Sequence, residues 1–249
     1  MKVEAEKIND ILRNVPGIEE QTERQYLRFH IYRYIETLSL IPISSSKLNV
    51  LDVGISSGHL AILVRKLFGY QVYGVDAQDV STPRFPSEGI DLKICDIVNQ
   101  PLPYDAESFD IVLFCEVLEH LTVSPYKVMN ELWRVLKKDG ILIFSTPNIA
   151  ALVKRLKLLV GKNPLASFNR NGEINYHIHE YTKSELASLI EQTNFRLDML
   201  YLSDCWERTF NNLNPLRLAY KLVVKCVPSF RGCILARARK VNGKRTNMC

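Results

Sequence analysis

The segment Val50–Leu60, VLDVGISSGHL, decides the architecture. Four residues of β-branched and apolar character run into Gly54, a short Ser-containing turn reaches Gly58, and the helical pattern HLAILVRKLF begins at once. Such a strand–turn–helix is the opening half of a βαβ unit. Further short apolar runs follow at 71–75, 90–95, 109–114 and 140–145, with helical periodicity at 59–68 and 124–137. Strands that alternate with helices predict a parallel α/β sheet covered on both faces. Two more runs, 195–202 and 232–239, bring the expected strands to seven in one doubly wound domain.

Composition agrees with a globular enzyme-sized unit. The 249 residues are 47% hydrophobic and 24% charged, and the mean hydropathy of -0.05 is ordinary. Collagen-like, disordered and disulfide-scaffold classes are excluded. No run approaches the roughly 20 apolar residues that a spanning helix needs, and the start MKVEAEKIND lacks the apolar core of a secretory signal. A cytoplasmic location is expected. The six cysteines form no CxxC pair, so no metal is expected and buried free thiols are. Charge is uneven. Ten Lys/Arg and no Asp/Glu lie between Arg208 and Cys249, which leaves 22 basic and 27 acidic residues before them.

The chain divides into an N-terminal helical cap (1–45), a core (46–145), a lid and acceptor insertion (146–190), C-terminal strands and helix (191–240) and a tail (241–249). A helix is expected over 18–40, with Glu19, Glu20 and Glu23 at its positive end and an apolar stripe of Tyr26, Leu27, Ile31, Tyr34, Ile35 and Leu38 for packing.

Ligands of such sheets bind beyond the carboxyl ends of the strands, where the topology switches. Gly54 and Gly58 can take backbone angles closed to other residues and let a ligand approach. The second strand ends in Asp76, 24 residues beyond Asp52, near the separation at which an acid grips ribose hydroxyls. The third ends in Asp96 with Ile97 beside it, an acceptor for an adenine amino group and an aliphatic cover for the ring.

These segments, together with Cys95–Leu121, Arg134–Asn148 and His179–Phe195, resemble the class I S-adenosylmethionine-dependent methyltransferases, in the group similar to ubiquinone-biosynthesis enzymes. The resemblance covers positions 48 to about 200, and GCILARARK resembles the family's last, antiparallel strand. It implies a Rossmann-like fold, S-adenosyl-L-methionine as cofactor with S-adenosyl-L-homocysteine as product, and cofactor contacts at Asp52, Gly54, Ser56, Gly58, Asp76, Ala77, Asp96, Ile97 and Cys115. One position departs from the family's D-x-G-x-G-x-G. Ser56 stands at the middle glycine, where the backbone passes the cofactor's methionine part.

Alternatives fare less well. A dehydrogenase would show G-x-G-x-x-G. An enzyme acting on base amines would show an Asn/Asp-Pro-Pro-Tyr/Phe box where this chain has Phe114-Cys115-Glu116-Val117, so nucleic acid is not expected as a partner. A binding protein that keeps the fold without turnover stays open, as does a nitrogen or carbon acceptor. The expected reaction is methyl transfer to an oxygen of a small, glycan or lipid-linked metabolite. His120, in EVLEHL, is the candidate base, because imidazole titrates near neutrality, and Glu116 is a second catalytic candidate. His177 and His179 are expected to line the acceptor cavity, and His30 and His59 to be structural. The segments 150–162 and 213–227 read as basic amphipathic helices, suited to a lid or to peripheral contact with a membrane surface through Lys154, Arg155 and Lys157.

Overall fold

The computed structural model describes residues 4–15, 21–80, 84–165, 177–209 and 214–241. Its elements are α1 (Ala5–Arg13), α2 (Gln21–Ser39), β1 (Asn49–Val53), α3 (His59–Phe68), β2 (Gln71–Asp76), α4 (Arg84–Ser87) and β3 (Asp91–Ile94). There follow β4 (Phe109–Cys115), α5 (Pro125–Val135), β5 (Leu136–Pro147), α6 (Leu152–Leu159), α7 (Lys183–Gln192), β6 (Phe195–Ser203), α8 (Pro215–Cys226) and β7 (Cys233–Lys240).

The seven strands form one sheet in the order β3-β2-β1-β4-β5-β7-β6. The strands from β1 to β5 pair in parallel, and β7 runs antiparallel to both β5 and β6. This is the expected Rossmann-like, doubly wound sheet with a reversed last strand. The order turns back between β1 and β4, so the carboxyl ends of those two strands flank the switch point.

Strand alternation assigns the side chains to two layers. Ile111, Leu113 and Cys115 of β4 join Val50 of β1 in a core with Ile8, Leu12, Ile31 and Leu38 of α1 and α2. Val112 and Phe114 point the other way and pack with Leu51, Phe144, Met129 and Ile190. Asp52 follows Val50 by two residues, so it shares the α2 face at the strand's end. That parity places the site.

Several boundaries differ from the sequence reading. The helix α1 was not expected as a separate element; it needs only Ile8 and Leu12, one turn apart, to fix it to the body. Glu19 and Glu20 lie outside the described residues. The helix expected over 124–137 stops at Val135, and β5 starts at Leu136, because Leu136 pairs with Phe109 before the register shifts to Ile111 opposite Ile141. The stretch 146–190 is also divided. Its end is α7, an ordinary sheet helix with Leu186 and Ile190 buried, started by a Thr182–Glu185 capping box. Residues 166–176 of it lie outside the described residues. Among the described residues, no helix is long and apolar enough to cross a membrane.

Candidate active site

The turn after β1 is held by its own backbone. The N–H groups of Gly54 and Ile55 both donate to the Val75 carbonyl, at 2.8 and 3.1 Å, which folds the turn against β2. Gly54 has φ 77°, and a Cβ there would lie 2.4 Å from Val117 Cγ2. Gly58, at φ 75°, would place a Cβ 2.3 Å from the Phe85 ring. Gly58 lines neither cavity described below, and the space that its missing side chain leaves admits Phe85. Ser56 takes the left-handed angle that glycine would adopt freely, φ 49°. Its N–H donates to Asp76 Oδ2 at 2.9 Å.

Two spaces open at the strand ends. A cavity of about 490 Å³ is lined by Asp76, Ala77, Asp96 and Ile97 from the ends of β2 and β3, with Val53 as floor. Asp76 Oδ1 accepts from the Gln78 N–H at 3.1 Å. Each of its oxygens thus holds one backbone donor and keeps capacity for another. Asp96 accepts from Val98 N and Asn99 Nδ2, at 3.0 and 2.6 Å, which fixes its carboxylate at the cavity edge.

The second space, about 360 Å³, lies under α2 and is lined largely by polar groups. Arg33 and Tyr34 reach into it from α2, Asp52 and Cys115 from the strand ends, and His59 from α3. Cys115 therefore faces this chamber and not the first cavity, as its strand parity dictates. His30 and His59, expected to be structural, both line the chamber. The sequence carried no sign of Arg33, which is 4% exposed. Charged residues in a helix register with an apolar stripe usually face solvent, and only the docking of α2 over the strand tips turns this one inward.

Burial sets the chamber's protonation. It drives His30 to about 2, with Arg33 and His59 adding to the effect, and His59 to about 3, aided by Arg84 and Arg33. Both are neutral imidazoles near pH 7. Burial lifts Asp52 to about 7, Arg33 opposing and Asp76 reinforcing. Burial works against the Arg33 charge, but Glu116 and the Tyr34 and Tyr26 hydroxyls hold its pKa above the ordinary value. The chamber thus sets one cation, Arg33, beside the carboxyl groups of Asp52 and Glu116.

Gly54, Ser56, Glu116 and His120 line both spaces and form the wall they share. Glu116 is itself left-handed, φ 57°, and is tied to β5 by Ser145 Oγ donating to its Oε1 at 2.8 Å. Backbone strain of this kind, about 1–3 kcal/mol per residue, gathers at functional sites. Next to the wall stands His177, its ring 5.0 Å from that of His120. Its Nδ1 lies 2.6 Å from Glu180 Oε1, and Lys154 closes on the other Glu180 oxygen. His179 instead meets Tyr181 and lines a separate recess, because the chain bends at Ile178, whereas an extended segment would put both rings on one face. Glu119 is buried; one oxygen accepts from Thr146 Oγ1 at 2.9 Å, and Oε1 has no hydrogen-bond partner. Burial and Glu116 raise its pKa. Glu119, His120 and His177 bring ligating atoms within 4.8 Å of one another, a set able to take a divalent ion; no metal was expected, because Glu119 and His120 lie far from His177 along the chain.

A seven-stranded sheet with a reversed β7 and two spaces at its switch point has the architecture of the methyltransferase fold. The comparisons agree. Residues 22–200 match a family described as a methyltransferase domain. The chain is 30% identical over 177 residues to a ubiquinone biosynthesis O-methyltransferase of Glaesserella parasuis serovar 5, covering 67% of this chain and 70% of that protein. In fold it is similar to a SAM-dependent methyltransferase from Aquifex aeolicus, with TM-score 0.56, 16% identity, and 96% and 100% of the two chains covered. It is likewise similar to geranyl diphosphate C-methyltransferase from Streptomyces coelicolor in complex with S-adenosyl-L-homocysteine, with TM-score 0.58, 12% identity, and 91% and 86% covered. The chain belongs to the class I S-adenosylmethionine-dependent methyltransferases, and S-adenosylmethionine is its cofactor.

Two outcomes follow from the backbone and the buried acid. Ser56→Gly relieves a left-handed residue at the cost of a looser unfolded chain, so it should stabilise the protein by about 0.5–1 kcal/mol in urea unfolding; a loss of stability would show that the hydroxyl anchors the turn. Asp52 keeps its proton in the folded state up to about pH 7, against an ordinary value of 3.8. Its contribution to stability is therefore complete below pH 3.8 and declines as the pH rises to about 7. Without ligand, Asp52→Asn should match wild type in acid and exceed it at slightly alkaline pH by about 2–4 kcal/mol. A gap independent of pH would refute the assignment.

Proposed function

We propose that this methyltransferase acts on an oxygen of a small, glycan or lipid-linked acceptor, with His120 as the base that receives the hydroxyl proton. The observation that carries this reading is the place of His120 in the wall common to the cavity and the chamber. An oxygen acceptor needs a proton sink beside it, whereas a neutral amine does not. The O-methyltransferase name of the Glaesserella parasuis relative supports the same acceptor atom.

Bound S-adenosylmethionine supplies a methyl group on a positively charged sulfur. The residues present fit that molecule. Asp76 receives the ribose hydroxyls on its remaining acceptor capacity, and Asp96 with Ile97 holds the adenine edge and face. Ala77 offers a small surface beside them. Gly54 and Ser56 carry the backbone past the junction. Arg33 would pair with the amino-acid carboxylate, and Asp52, having released its proton to solvent, would receive the ammonium group together with Glu116. Tyr26, Tyr34 and Cys115 complete the enclosure. His120 would receive the proton of the acceptor hydroxyl on methylation, and much of the rate would come from holding the partners in line. His177, oriented by Glu180, borders the acceptor side. The set Glu119, His120 and His177 supports a second account, in which a divalent ion activates the hydroxyl and His120 is its ligand.

Asp76→Ala should weaken binding of S-adenosyl-L-homocysteine by about 1.5–3 kcal/mol in titration calorimetry; unchanged affinity in a folded variant would remove Asp76 from the site. His120→Ala should lower turnover by about 10²–10⁴-fold and leave that affinity nearly intact. Comparable losses in both would reduce His120 to a structural role. EDTA should not affect the wild-type rate if His120 is the base, and a chelator-sensitive rate restored by Zn²⁺ or Fe²⁺ would assign it to the ion instead.

A further inference from the structure

The two basic amphipathic segments fold as expected, but they divide their charges differently. Lys154 turns inward to Glu180, with its side chain only 14% exposed, so it is not part of a docking surface, contrary to the expectation for Lys154, Arg155 and Lys157. The rest of α6 faces out. No residue of α6 is buried, and Leu156, Leu158, Leu159 and the following Val160 are 48–81% exposed. The helix α8 buries Val224 alone, and exposes Leu216, Leu218 and Leu222 at 61–79%.

The two helices are neighbours. Tyr220 of α8 meets the backbone of Val153 in α6, and the Arg155 guanidinium lies 5.2 Å from the Phe230 ring centre, just after α8. Of the sixteen large apolar side chains exposed among the described residues, ten belong to these two segments. Scattered apolar residues need no explanation, but such a concentration marks an interaction surface. Its charge has one sign. Arg155, Lys157, Lys162, Arg217, Lys221 and Lys225 occur there, and neither 149–165 nor 214–231 contains an Asp or Glu.

Among the described residues, four other C-terminal basic residues are paired within the fold. Arg208 pairs with Glu36 and Asp204, Arg237 and Arg239 with Asp198, and Lys240 with Glu107. Among the described residues, α6 and α8 thus present a leucine-rich face whose own segments carry basic residues and no acid.

We propose that this face docks on an anionic lipid bilayer, with the leucines of α6 and α8 entering the headgroup region and the basic residues meeting lipid phosphates. Leucine side chains among lysines and arginines, without a compensating acid, match the apolar and anionic layers of such a surface. A soluble acidic partner would account for the charge but not for so many uncovered leucines. The inner side of α6 leads to the site through Lys154, Glu180 and His177, so docking presents the acceptor side of the chamber to the bilayer. The proposal is independent of the acceptor atom and of the base.

The test is sedimentation of the full chain with phosphatidylglycerol–phosphatidylcholine vesicles and with phosphatidylcholine vesicles, at low and at high salt. The protein should pellet with the anionic vesicles at low salt and be released by salt, since each basic residue contributes about a fivefold factor to partitioning that ions screen. Lys157→Glu with Lys225→Glu, and separately Leu158→Ser with Leu159→Ser, should each reduce the bound fraction at least about tenfold. Binding of S-adenosyl-L-homocysteine, read by calorimetry, should stay at the wild-type value and show that both variants are folded. Wild-type protein that remains in the supernatant with anionic vesicles at low salt overturns the proposal. So does concentration-dependent self-association in analytical ultracentrifugation that the leucine variant abolishes while vesicle binding is absent, because the face then belongs to a second copy of the chain.

Discussion

Three of the four residues that separate the cavity from the chamber hold the backbone in the left-handed region: Gly54, Ser56 and Glu116. The constraint behind this is geometric. A strand end must fold back against its neighbour and release a helix within five residues, from Val53 to His59. The Val75 carbonyl, which accepts from Gly54 and Ile55, fixes where the fold-back occurs. The turn then brings the Ser56 N–H to Asp76, so the carboxylate proposed for the ribose is positioned by the same turn that shapes the junction. On the β4 side, Glu116 is bent likewise and pinned by Ser145, both through its carboxylate and through its own N–H to the Ser145 carbonyl. Site and fold share one set of bonds.

The chamber under α2 shows how burial selects protonation states for a ligand. Two imidazoles are discharged by desolvation, one carboxyl is lifted to about 7, and one guanidinium keeps its charge because Glu116 stands near it. Each departure costs stability in the free protein. In the proposed binding mode a zwitterionic ligand would offset part of those costs, its carboxylate meeting Arg33 and its ammonium group restoring the carboxylate form of Asp52. In that mode the cap helix is part of the binding site, not a cover over it. The Glu23–His59 contact at 3.1 Å and the Glu23–Arg84 pair at 3.5 Å tie that helix to α3 and α4.

The outer surface obeys a different balance. Ion pairs on the body take up Arg208 and the basic residues of β7, while α6 and α8 carry basic residues in segments rich in exposed leucines. The Lys154–Glu180–His177 series joins that surface to the acceptor side. It gives a physical route by which docking of α6 can bear on the chemistry without altering the sheet.

The sequence by itself determined the sheet. Apolar runs of strand length, the Gly54 turn and the following helical period depend on local geometry, so β1 to β7 could be placed within a few residues, and the acids at the ends of β2 and β3 fell where the cavity is. His120 and Glu116 were legible because a strand end fixes their position. What the tertiary structure alone decided concerns side-chain direction and distant pairing. Arg33, His30 and His59 became chamber residues only when α2 docked across the strand tips. Cys115 went to the chamber by its parity, Gly58 gave its space to Phe85, and His177 and His179 parted to different cavities. Lys154 left the basic face because Glu180, 26 residues away in sequence, was brought beneath it. Periodicity records which residues share a face of their own element; it holds no information on what that face will meet.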